Sequence, residues 1–176
     1  MKYFLSLLLF IPAILSAQSK DEELLEWNAS KKLTWNDYKA SPDPTSDAAA
    51  STTTYLSIEY NITSSSFGYK IKSRFSKTRS WGLHKTDHIL SHEQGHFDIA
   101  EVFARKLNKL MSEYKFDWKT YRQDLKKIYQ DVLDEKEEMQ NEYDQETNHS
   151  INKEKQEEWL KKIKKVLKEY ENFSNY

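Results

Sequence analysis

In the stretch SHEQGHFDIAE, residues 91–101, two histidines stand four positions apart and a glutamate follows the first of them. On a helix this spacing puts His92 and His96 one turn apart on one face, where both imidazoles reach a single cation. Two neutral imidazoles leave a zinc ion fully cationic, which pulls the pKa of its water toward neutrality. Glu93 can take a proton from that water without filling a coordination position, the work of a general base. The pattern predicts peptide-bond hydrolysis with Zn2+ as cofactor and a peptide or protein as substrate. The alternative is a non-catalytic zinc-binding envelope or interaction protein on a zincin-like scaffold, which would leave Glu93 without a task.

Tetrahedral zinc with one open position needs a third protein ligand, and the helix carrying the motif cannot supply it. The Cα of His88 lies about 9 Å along the axis from the midpoint of the pair, beyond an imidazole's reach. Asp98 and Glu101 point roughly 200° and 140° away from His96, where they can only anchor the helix to its neighbours. His149 is the one histidine outside residues 84–96, and it lies in a polar stretch between two expected helices. It is the first candidate for third ligand. Asp144 is the second, and on that reading His149 donates a hydrogen bond to the oxyanion. Tyr143 is a further candidate for the oxyanion. Gly95, costly inside a helix, either lets a substrate backbone or a strand approach the metal or serves packing.

The elements that must position these residues follow from hydropathy. Leu56, Ile58, Tyr60 and Ile62 alternate with polar neighbours, and the alternation returns at Phe67, Tyr69, Ile71 and Phe75, which predicts two strands joined by a short loop. Helical spacing then predicts helices over about 85–114, 118–142 and 153–170. The segment YDQETNHS, 143–150, reads as a turn between the last two. Residues 21–50, with Pro42 and Pro44, read as an irregular arm with at most one turn of helix. The expected fold is α+β, a hairpin or small sheet packed on a long motif helix, with two more helices after it. One strand between Thr52 and Phe75 is expected to hold an extended substrate.

The chain begins with one lysine, an apolar run from Tyr3 to Leu15 and small residues at Ser16 and Ala17, the pattern of a signal peptide over residues 1–17. A secreted or periplasmic domain over residues 18–176 is the expectation, a length that suits one core. No later run approaches the roughly 20 apolar residues that a membrane span needs. The whole chain carries 27 basic and 28 acidic residues and no cysteine. Near-neutral charge argues against a nucleic-acid partner, and the core must hold without disulfides.

Three blocks together carry a family resemblance: LTWNDYKASPDPTSDAAAST ahead of the strands, HEQGHFDIAE on the helix, and YDQETNHSINKEKQEEW near the end. From about Leu33 to Trp159 the chain resembles the DUF922 family of predicted secreted zinc-dependent proteases of bacteria. The resemblance implies a small zincin-like domain. The family pattern usually has a glycine after the histidine of the third block, where this chain has Ser150.

Overall fold

The computed structural model describes residues 22–176, so the leader expected over residues 1–17 lies outside the described residues. The two alternating segments form an antiparallel hairpin, β3 (Thr54–Ile62) and β4 (Phe67–Ser76), with Ile58 opposite Ile71 and Tyr60 opposite Tyr69. The loop between them closes on Thr63, whose N–H donates to the Ser66 carbonyl at 2.9 Å. Contrary to the expectation of an irregular arm, Leu24–Glu26 form strand β1 on the other edge of β4, with Leu25 opposite Phe75. Further along, Ala50–Ser51 (β2) pair with Trp81–Gly82 (β5) as a separate two-stranded ribbon. The fold is α+β.

Three helices follow: α1 (Asp87–Glu113), α2 (Tyr121–Thr147) and α3 (Lys153–Glu169). Thr86 caps α1 by accepting from the Ile89 N–H, and Asn152 caps α3 by accepting from the Lys155 N–H. Helix α2 continues five residues past its expected end, so Tyr143 and Asp144 belong to a helix and not to a turn. Beyond Tyr143 the residues that continue it inward, Asp144 and Thr147, are polar, which hides the helical stripe. None of the described helices is long and apolar enough to cross a membrane.

Helix α1 is the centre of the packing. Its Ile99, Val102, Phe103, Leu107 and Met111 meet Leu56 and Ile71 of the sheet and join Val132 and Tyr143 of α2 with Trp159 and Ile163 of α3 in one core. Phe97 and Ala100 form a second cluster with Leu33, Tyr38 and Phe75, so the N-terminal arm is packed rather than loose. Asp98 ties that arm down, accepting from Trp27 Nε1 at 2.8 Å and from Lys32, while the Leu33 N–H donates to Gln94 Oε1 at 2.8 Å. Glu101 bonds to Arg105 and to the Tyr176 hydroxyl. Both acids thus anchor the helix, as their angles implied.

The ribbon is held against the arm by one close approach. A Cβ built on Gly82 would lie 2.5 Å from Trp35 Cζ3, and that indole is already packed on Tyr38 with ring centroids 4.9 Å apart. We predict that Gly82→Ala destabilises the protein by about 1–3 kcal/mol, the usual cost of overpacking, read as a lowered thermal midpoint. An unchanged midpoint would mean that the arm yields freely.

Candidate metal centre

The motif residues sit near the start of α1 with sheet, arm and the other two helices around them. His92 and Glu93 are 3% and 4% exposed. Helix α2 faces them in the opposite direction, so that Gln140 meets His96 and Asp144 meets His92. Three atoms converge there. His92 Nε2 and His96 Nε2 are each 3.1 Å from Asp144 Oδ1, and 3.2 Å from one another. They are the group of ligand-type side chains among the described residues that could hold a cation.

The tautomer of His96 is set by Gln140. Its amide nitrogen donates to the His96 carbonyl at 3.0 Å, which turns the amide oxygen onto His96 Nδ1. Nδ1 must then carry the proton, leaving the Nε2 lone pair for the site, the usual task of a residue behind a metal ligand. Burial holds the His92 imidazole below its ordinary pKa, against the pull of Asp144. For His96, burial also opposes charging, but Asp144, Glu93 and Gln140 outweigh it and the pKa rises. Asp144 is partly buried, which would raise its pKa, yet the hydrogen bonds and charges of both histidines hold it far below the carboxylate range. Among the described residues, the buried His92 Nδ1 and Glu93 Oε2 have no hydrogen-bond partner.

Tyr143 corrects an expectation. Its side chain is fully buried, its hydroxyl donates to the His92 carbonyl at 3.2 Å, and its ring stacks on His92 with centroids 4.5 Å apart. No substrate oxyanion can reach it. It holds the histidines in place, and Gly95 explains how: a Cβ there would lie 2.5 Å from the Tyr143 hydroxyl. The glycine admits a tyrosine of α2 rather than a substrate or a strand.

His149, the expected third ligand, is not among the three converging atoms. Its side chain is 68% exposed and its Nδ1 lies 3.8 Å from Asp144 Oδ1. The cause is the longer α2, which carries Asp144 onto the face toward α1 and leaves His149 beyond the helix end. There Asn148, His149 and Ser150 all take positive φ, at 47°, 49° and 75°, and the His149 N–H closes the helix on the Asp144 carbonyl at 2.9 Å. His88 holds this turn from α1, with Nε2 2.7 Å from the Ser150 carbonyl, so it supports the site from outside the cluster.

A cleft of about 550 Å³ opens over the cluster. Its walls are α2, from Lys136 to Asp144, and the segment Ala48–Thr54, with His92, Glu93 and His96 below and His149 at one end. Among the described residues β2 pairs only with β5, so its second edge is unpaired. Sequence reasoning missed Gln140 and Lys136. The only signal for them was their four-residue spacing ahead of Asp144, which repeats on α2 the row of His88, His92 and His96 on α1.

The chain matches, over residues 26–150, a family described as bacterial protein of unknown function (DUF922). It belongs to the DUF922 family. The DUF922 match spans His92, Glu93, His96, Gln140, Asp144 and His149, and ends at Ser150, before α3. No curated protein and no solved structure matches the chain.

Ser150, the residue after His149, takes φ 75°. A non-glycine residue in the left-handed region costs about 1–2 kcal/mol, partly offset by the greater freedom glycine has when unfolded. We predict that Ser150→Gly stabilises the protein by about 0.5–1 kcal/mol, raising the thermal midpoint by roughly 2 °C. A lowered midpoint would show that the Ser150 side chain contributes more than its backbone costs.

Proposed function

We propose that this chain is an exported zinc-dependent peptidase with a zincin-like site, in which His92, His96 and Asp144 bind the ion and Glu93 is the general base. The observation that carries the reading is the spacing of the three donor atoms. Zinc holds nitrogen and oxygen ligands at about 2.0–2.1 Å, and tetrahedral angles then set neighbouring donors about 3.3 Å apart. The separations here are 3.1, 3.1 and 3.2 Å. A two-histidine, one-carboxylate set also suits ferrous iron. Glu93 favours hydrolysis, because a buried carboxylate oxygen without a partner is costly where no proton is to be moved. The same point weighs against a purely structural zinc. The leader-like residues 1–17 support export.

When bound, zinc would supply Lewis acidity, polarising the scissile carbonyl and lowering the pKa of adjacent water. Glu93 takes one proton from the attacking water as the new C–O bond forms. It then passes that proton to the departing nitrogen as the C–N bond breaks, giving a carboxylic acid and an amine. His149 stands at the end of the cleft with an exposed ring and donates to the oxyanion that develops on the carbonyl. Gln140 and Tyr143 touch no substrate; they keep the two imidazoles aimed. The open edge of β2 lies along the cleft, where an extended peptide can pair with it.

Two predictions follow from this assignment. The protein without residues 1–17 should bind close to one zinc per chain by elemental analysis. Asp144→Ala should weaken that binding by more than the roughly 100-fold that loss of a supporting residue costs, whereas His149→Ala should keep the ion and lose turnover. Zinc lost with His149→Ala and kept with Asp144→Ala would reverse the two roles. Separately, Glu93→Gln should retain zinc and the wild-type thermal midpoint but fall at least about 100-fold in casein or peptide-library cleavage. Wild-type turnover in that variant would remove Glu93 from the chemistry.

A further inference from the structure

Lys136 stands on α2 two turns before Asp144 and one turn before Gln140, and it lines the same cleft as Glu93 and Gln140. It is 9% exposed. Among the described residues, no carboxylate pairs with it closely. Its nearest carboxylate oxygen is Glu137 Oε2 at 4.0 Å, the limit of ion pairing, on a side chain that is 67% exposed and screened by solvent. Burial holds the ammonium below its ordinary pKa, with Glu137 only partly opposing. Lysine is rarely this covered unless paired, and here the stem is covered while the ammonium keeps only slight exposure, in the cleft. Ser51 to Thr54, which line the same cleft, offer hydroxyls and backbone but no charge, and the carboxylates in its lining are Asp43, Glu93, Glu137 and Asp144.

An anion entering the cleft would complete this arrangement, and the peptide reading of the cleft says which anion is at hand. We propose that Lys136 is a specificity residue, an ammonium that receives a carboxylate of the peptide substrate, carried by an acidic side chain or by the peptide's own C-terminus. The inference rests on the peptidase reading. Spacing limits where the carboxylate sits. Lys136 and Asp144 are eight residues apart, about 12 Å along α2. An extended peptide rises about 3.3 Å per residue, so the carboxylate belongs about three or four residues from the bond that is cut. Lys136, Glu93, His92 and His96 line one cleft, so one extended chain can reach both Lys136 and the histidines.

The test measures binding rather than turnover. The probes are blocked hexapeptides in which a single glutamate occupies each position in turn, their glutamine counterparts, and the same glutamine peptides with free or amidated C-termini. Calorimetry is done on the zinc-loaded Glu93→Gln protein, which cannot consume them. The expected result is that a glutamate at one position, or a free C-terminus, tightens binding roughly 10- to 100-fold over its neutral counterpart, the range of a hydrogen bond to a charged group. The glutamate series and the C-terminal pair show which source of carboxylate is used. Lys136→Met in the same background keeps the unbranched stem and removes the charge, and should bring that ratio toward one. Met replaces a buried charge with an apolar group of similar length, so folding is not at risk. Equal binding of acidic and neutral peptides, no peptide binding at all, or a preference that survives Lys136→Met would each overturn the proposal. Failure of the peptidase reading is seen elsewhere, as absence of cleavage by the wild-type protein with zinc bound.

Discussion

One carboxylate, Asp144, holds two imidazoles from another helix, and the positions of the other site residues depend on that contact. Its Oδ1 lies 3.1 Å from both Nε2 atoms, which requires α2 to stay helical through that position and to cross α1 at a fixed rotation. Tyr143, one residue earlier, fits only because position 95 has no side chain. Gln140, one turn earlier, fits only because it can satisfy both the His96 ring and its carbonyl. Three residues of α2 thus read three features of α1, and a rotation of either helix would break all three contacts together.

That precision has a thermodynamic cost, and the surrounding packing offsets it. His92 Nδ1 and Glu93 Oε2 are buried without partners, and such groups cost about 1–3 kcal/mol each. The turn after α2 adds three consecutive residues of positive φ. Against this, α1 is buried on several sides, with Ile99, Ala104 and Leu107 fully enclosed and the arm bonded to its Gln94 and Asp98. The N-terminal arm therefore serves the site although none of its anchoring residues touches it. A cation bound by the folded form alone would add stability of its own.

Much of this was legible in the sequence because apolar residues mark buried faces. The hairpin and the spans of α1 and α3 emerged within a few residues from alternation at Leu56–Ile62 and from helical spacing at Ala100, Phe103 and Leu107 and at Trp159 and Ile163. The pairing of His92 with His96, and the outward angle of Asp98 and Glu101, followed from helix geometry alone. The end of α2 did not. Apart from Tyr143, its inward residues there are Gln140, Asp144 and Thr147, whose polar side chains serve the site or cap the turn, so the segment reads as a loop. That single misplacement made His149 the favoured ligand and gave Tyr143 an oxyanion. β1 escaped notice because three residues are too few to show alternation. The contact of Gly95 with Tyr143 joins positions far apart in the chain, and no local pattern encodes it.

The central claim is that the ligand set is two imidazoles and one carboxylate. X-ray absorption at the zinc edge of the loaded protein measures this directly. The account predicts a first shell of nitrogen and oxygen donors at about 2.0–2.1 Å with the outer-shell scattering of two imidazoles. Scattering from three imidazoles would contradict it, and would place His149 on the ion in the position assigned here to Asp144.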